Sequence, residues 1–151
     1  KLILKSSSKM DKSFLKKEFE KCGVIDSIIF LEKRKLESHY NLYKKIDIAL
    51  DTFPYNGVTT TFEALAMGVP VITMKGYNFN SRCGESIIKN LDIEDLIANN
   101  EDDYILKAQK IADDKDKLLE LRKNIFNNSH ETPLFDTNQF SQDFFGILEK
   151  I

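Results

Sequence analysis

Between Asp47 and Leu65 the chain reads Asp47-Ile-Ala-Leu-Asp51-Thr-Phe-Pro54-Tyr55-Asn56-Gly57-Val-Thr59-Thr60-Thr61-Phe-Glu63-Ala-Leu65, a run whose residue types suit the holding of a phosphate. Ile46, Ile48, Ala49 and Leu50 predict a buried strand, and Pro54 to Gly57 predict a tight loop. Thr59 or Thr60 then serves as cap to a helix whose first N–H groups have no acceptor within the helix. Such free donors, at the positive end of the helix dipole, favour a mono- or diphosphate.

Each residue of this run has a structural alternative. Thr60-Thr-Phe-Glu63 also fits a capping box, in which the threonine does no more than close the helix start. Glu63, three residues after Thr60 and four after Thr59, shares their helical face. It suits either ribose hydroxyls or simple compensation of the helix dipole. Gly57 permits a positive φ or a close approach of phosphates. Asp51 ends a strand without an evident second carboxylate, so it reads as a residue that fixes the loop. Arg82, after the Gly76-Tyr-Asn-Phe-Asn-Ser81 loop, suits phosphate neutralisation or the fixing of that loop, with structure favoured.

The elements that must position these residues alternate. Lys1 to Lys5 read as a strand, Asp11 caps a helix to about Cys22, and Gly23 stops it. Val24 to Leu31 form a short strand, Leu36 to about Lys44 a helix, and Ile46 to Leu50 the next strand. The threonine-led helix runs to Met67, Gly68-Val-Pro70 turns, and Val71 to Met74 make a further strand. This β-α-β-α-β-α-β order predicts a Rossmann-like α/β fold with a doubly wound parallel sheet, whose ligands sit beyond the carboxyl ends of the strands. From Ser81 the chain reads as mainly helical, with helices at Glu85–Asn90, Asp102–Ala112, Asp116–Phe126 and Gln139–Lys150.

At 151 residues the chain has the size of one domain. Its 22 Lys and Arg against 24 Asp and Glu, net charge −2, disfavour a nucleic-acid partner. Cys22 and Cys83 lack metal-ligand spacing and read as thiols in a reducing, cytoplasmic setting. The acidic Asp92, Glu94, Asp95 and Glu101-Asp-Asp103 read as solvated surface, so no metal site is expected. No stretch approaches the length of a membrane span and no signal peptide opens the chain. The opening Lys1-Leu-Ile-Leu-Lys5, without an initiator Met, reads as a cut into a longer protein.

His39-x-x-x-Tyr43, Ile46-Asp-Ile-Ala-Leu-Asp51, Pro54-Tyr-Asn-Gly57-x-Thr-Thr60, Glu63-Ala-Leu-x-Met-Gly-Val-Pro70-Val, Ser81-Arg82 and Ser129-x-x-x-Pro-Leu-Phe135 together resemble the C-terminal half of glycosyltransferase family 41. That family contains the O-linked N-acetylglucosamine transferases and the SPINDLY-like proteins. The resemblance implies the C-terminal domain of a GT-B fold: a single, N-terminally truncated nucleotide-sugar-binding domain over 1–151, with a closing helix at about 138–151. It implies a parent carrying tetratricopeptide repeats and an N-terminal Rossmann-like half, without which the chain should not turn over.

The resemblance further assigns Thr59 and Thr60 to the nucleotide diphosphate and to stabilisation of the leaving group. Glu63 falls to the ribose, although some members carry Asp there. His39, otherwise a lone surface or core histidine, falls to the nucleotide, and Gly57 to the phosphate loop, with Asn56 and Arg82 as further candidates. The Lys that relatives carry three residues before this His is Leu36 here, with Lys33 and Lys35 nearby. The implied reaction is inverting and metal-independent, needs no cofactor, and moves a sugar to a Ser or Thr hydroxyl of a protein that docks through the missing N-terminal regions. UDP-N-acetylglucosamine leads as donor, with GDP-fucose and UDP-glucose open. The rival readings are a noncatalytic nucleotide-binding module and a protein-interaction module presenting Phe135, Phe140, Phe144 and Phe145.

Overall fold

The computed structural model describes residues 1–5, 9–31 and 36–150. Contacts divide the chain into two compact units, Lys1–His39 and Tyr40–Ile151. In the first unit β1 (Leu2–Lys5) and β2 (Ile28–Leu31) pair in parallel, Leu2 opposite Ile28 and Lys5 opposite Leu31. Helix α1 (Lys9–Lys21) joins them. It starts two residues before the expected Asp11 cap, which therefore lies inside the first turn. Residues Val24 to Ser27, expected to begin the strand, instead pass through a short 3-10 turn at Ile25–Ser27. Ser6 to Ser8, Lys33 and Lys35 lie outside the described residues. Helix α2 (Leu36–Tyr43) ends at the second unit.

The second unit carries β3 (Ala49–Leu50), β4 (Val71–Met74) and β5 (Ile97–Ala98), parallel and in that order across the sheet. Val71, Ile72 and Thr73 are all buried, as expected of a central parallel strand covered on both faces. Helices α3 (Thr59–Ala66), α4 (Cys83–Lys89) and α5 (Glu101–Asp113) pack on β4, and α6 (Lys115–Asn128) packs on α3 and α5. Leu65, Val69, Ile72, Ile88 and Ala98 have no solvent exposure and form the centre of the core.

Strand β3 is shorter than expected. Arg122 Nη1 donates to the Ile46 and Asp47 carbonyls at 2.6 and 3.0 Å, so that part of the backbone finds its acceptor satisfaction in α6 instead of the sheet. Strand β5 falls between two expected helices, in a stretch where no strand was expected, because two residues are too few to show a period of two. Helices α1 and α3 end alike. Val24 N–H donates to Phe19 O and Gly23 N–H to Glu20 O, while Val69 N–H donates to Ala64 O and Gly68 N–H to Leu65 O. These are Schellman closures, and each puts its glycine at positive φ, +69° and +67°.

The later helices start with side-chain caps. Asn100, Asp114 and Asp136 accept from the N–H groups of Asp103, Lys117 and Gln139. The last helix, α7 (Thr137–Leu148), buries none of its residues, and Phe140, Phe144 and Phe145 stay exposed. Among the described residues no helix is long and apolar enough to cross a membrane.

Leu65 is wholly enclosed between α3 and the sheet, so Leu65→Ala should cost about 3 kcal/mol. Urea denaturation should show this as a lower midpoint with an unchanged slope.

Candidate functional site

The loop from Asp51 to Val58 leaves the carboxyl end of β3 and feeds α3. Asp51 is 8 % exposed, and its carboxylate is the loop's anchor. Oδ1 accepts from the Gly57 N–H at 2.7 Å, and Oδ2 accepts from the Thr73 hydroxyl on β4 at 2.7 Å. The Asp51 carbonyl in turn accepts from the Tyr104 hydroxyl on α5 at 2.7 Å. Burial raises the Asp51 carboxyl above its ordinary value, against the hydrogen bonds from Gly57, Thr73 and Thr52 that pull it down. Burial likewise raises the Tyr104 phenol, with the Asp51 charge adding to it.

Asp51 thus fixes the loop, as expected. The role of Gly57 is narrower than expected. Its φ is not positive, and what requires glycine is space: a Cβ there would collide with Thr60 Oγ1 and lie 3.3 Å from Asp51 Oδ1. Asn56 is buried and spans the loop, with Nδ2 donating to Thr52 O at 3.0 Å and Oδ1 accepting from Gly84 N–H at 3.3 Å. Its own N–H donates to Asn80 O at 3.0 Å, which ties the 51–58 loop to the loop that follows β4.

Thr59 and Thr60 are not caps. Val58 holds the cap position of α3 with no side-chain hydrogen bond to the helix, so the expected capping box does not form. The threonines occupy the first two helical positions instead. Thr61 bonds back to Gly57 O at 2.9 Å, and Phe62 N–H to Val58 O at 3.0 Å makes the first helical bond. The N–H groups of Thr59, Thr60 and Thr61 therefore have no acceptor within the helix. Thr59 and Thr60 are exposed, Thr61 buried.

Glu63 stands one turn further along α3, half-buried, and its Oε2 accepts from the Tyr43 hydroxyl at 3.1 Å. A small cleft of about 160 Å³ opens among Tyr43, Leu50, Asp51, Gly57, Thr60 and Thr61. The structure thus brings Asn56, Gly57, Thr59, Thr60 and Glu63 together in the second unit. His39 belongs to the first unit, where Lys5 Nζ lies 3.2 Å from its Nδ1. Arg82 donates from Nε to the buried Glu85 at 2.8 Å. This hydrogen bond, against the opposing effect of burial and with help from Lys89, holds the Glu85 carboxyl below the usual carboxylate range. Arg82 accordingly does structural work at the start of α4.

Tyr43, Thr73 and Tyr104 were not singled out as site residues by the sequence. Tyr43 stood four residues after His39, and Thr73 and Tyr104 gave no local signal, since their partner Asp51 is 22 and 53 residues away. Among the described residues no three His, Cys, Asp or Glu side chains gather as metal ligands would.

Parallel strands wrapped by helices, with a loop and a helix start exposed at their carboxyl ends, define an α/β domain of the Rossmann-like kind. The sequence profile of Glycosyl transferase family 41 matches residues 4–144. The chain belongs to that family and corresponds to the C-terminal part of its catalytic region. It is 40 % identical over 113 residues to a protein of Solanum lycopersicum described as a probable UDP-N-acetylglucosamine–peptide N-acetylglucosaminyltransferase SPINDLY, covering 75 % of this chain and 12 % of that one. It is 29 % identical over 121 residues to the UDP-N-acetylglucosamine–peptide N-acetylglucosaminyltransferase of Caenorhabditis elegans, covering 80 % of this chain and 10 % of that one. The chain thus spans about a tenth of the length of these relatives. A mutant O-GlcNAc transferase of Thermobaculum terrenum superposes with a TM-score of 0.86 at 29 % identity, over 99 % of this chain and 29 % of that one. The likeness bears out the Rossmann-like, GT-B expectation.

A raised native pKa means that the folded state holds the Asp51 proton more tightly than the unfolded state does. The stability this contributes is fully present below the ordinary Asp value of 3.8 and is lost as pH rises through the raised native value. Asp51→Asn removes that dependence. Denaturation of both proteins across this range should show the wild type losing stability relative to the variant as pH rises.

Proposed function

We propose that this chain is the donor-binding half of an inverting glycosyltransferase that moves a sugar from a nucleotide to a protein Ser or Thr hydroxyl. The observation that carries the reading is the start of α3, where the N–H groups of Thr59 to Thr61 lack helical acceptors beside a loop held by Asp51 through Gly57. Family membership supports it, as do the activities that the relatives are named for. UDP-N-acetylglucosamine is the leading donor on those descriptions; GDP-fucose and UDP-glucose remain alternatives.

In this reading the acceptor oxygen attacks the anomeric carbon while the bond from that carbon to the diphosphate oxygen breaks. The bonding electrons leave on the diphosphate, and the acceptor proton passes to a general base. Thr59 and Thr60, with the helix dipole behind them, stabilise the charge that develops on the diphosphate. The Glu63 carboxylate accepts from the ribose hydroxyls, Gly57 lets the phosphates approach the loop, and His39 contacts the nucleotide. No metal or other cofactor enters the scheme. The acceptor protein docks through regions N-terminal to this chain, and the free thiols of Cys22 and Cys83 suit a cytoplasmic setting.

The rival without a donor site is separated by calorimetric titration of UDP and GDP into the intact protein, where binding of neither would overturn the proposal. Thr60 is exposed and its hydroxyl carries no cap, so Thr60→Ala should leave the melting midpoint nearly unchanged. Nucleotide affinity should fall about fivefold, the worth of one hydrogen bond of about 1 kcal/mol. Unchanged affinity would remove the side chain from the phosphate site.

A further inference from the structure

Tyr43 closes α2 with its side chain in the core of the second unit, 7 % exposed. Its hydroxyl reaches across to the first turns of α3, 3.1 Å from Glu63 Oε2 and 3.5 Å from the Thr60 carbonyl oxygen. A hydroxyl has one proton, and the shorter contact marks the carboxylate as its main acceptor. Burial, and then the Glu63 charge, push the phenol ionisation well up, so the group stays a donor across the physiological range. Phenylalanine would fill the same space without the hydroxyl that reaches α3.

A glutamate on a helix surface otherwise samples several rotamers, and a ligand that uses it must bear the entropy of ordering it. The bond from Tyr43 orders it beforehand. A carboxylate offers about four lone-pair sites, so Glu63 can accept from Tyr43 and from ligand hydroxyls together. Being an acceptor and negative, it repels phosphate and selects O–H donors. One helical turn separates it from the Thr59 and Thr60 N–H groups, and the donors that a nucleotide presents at about that distance from its diphosphate are the ribose hydroxyls.

We propose that Tyr43 is a positioning residue that sets the Glu63 carboxylate for the vicinal diol of a nucleotide ribose. The inference rests on the donor-site reading given above and adds to it the group that makes Glu63 selective for that diol. Its signature is a loss confined to ligands that carry the diol, which a purely structural tyrosine would not produce.

The test is calorimetric titration of the intact protein with whichever of UDP and GDP it binds, and with the 2′,3′-dideoxy form of the same nucleotide. The wild type should bind the ribonucleotide more tightly than the dideoxy form. Tyr43→Phe should lose about fivefold in ribonucleotide affinity and nothing for the dideoxy form. Glu63→Gln, which leaves the tyrosine packing in place and serves also if Tyr43→Phe folds poorly, should show the same diol-confined loss. The double variant should lose no more than the larger single loss. An equal loss for both ligands, no loss, or a fully additive double variant would overturn the role of Tyr43 while leaving the donor site standing. Wild-type binding of neither nucleotide would overturn both.

Discussion

The buried carboxylate of Asp51 joins three parts of the second unit that are far apart in sequence. One oxygen holds the Gly57 N–H at the end of the loop, and the other holds the Thr73 hydroxyl on the central strand. Two short hydrogen bonds, from a backbone N–H and a hydroxyl, offset the cost of placing the acid there, though incompletely, since its pKa stays raised. The same residue's carbonyl takes the Tyr104 hydroxyl from α5. The path of the loop between β3 and α3 is therefore tied to the core at Thr73 and Tyr104 as well as held by bonds within the loop.

That constraint decides which backbone groups are left free to donate at the start of α3. With Gly57 pinned and too crowded by Thr60 to carry a side chain, the chain enters α3 without a side-chain cap. The N–H groups of Thr59 to Thr61 keep their capacity to donate. A second anchor, Asn56, ties this loop to the one after β4 at the carboxyl edge of the sheet. Glu63 comes one turn later, held by Tyr43 from the preceding helix. The order along α3 is donors first and acceptor second, which matches a ligand with an anionic end and a hydroxylated middle. This is the physical content that family membership gains from the geometry.

What the sequence made legible was local. Ile48 to Leu50, Pro54 to Gly57 and the threonine run carry strand, loop and helix in their own residue types, and Met67-Gly68 carries the helix end through a positive φ. The cap was misread because propensity favours threonine at that place, while the position fell to Val58 once Asp51 had fixed Gly57. Distant partnerships left no local trace: Thr73 and Tyr104 are ordinary residues until the fold sets them beside Asp51. Strand β5 escaped for a similar reason, since Ile97 and Ala98 are a strand only by pairing with Thr73 and Met74. For His39 no spacing pointed to a nucleotide; that expectation came from the family resemblance and stands as a proposal.

The central claim is that a nucleoside diphosphate is held by the backbone at the start of α3, and amide NMR reads those groups individually. Titration of the ¹⁵N-labelled intact protein with UDP and GDP should move the Gly57, Thr59, Thr60 and Thr61 amide resonances most with the nucleotide that binds, leaving those of α7 in place. Saturable binding that leaves these four amides unmoved would contradict the account.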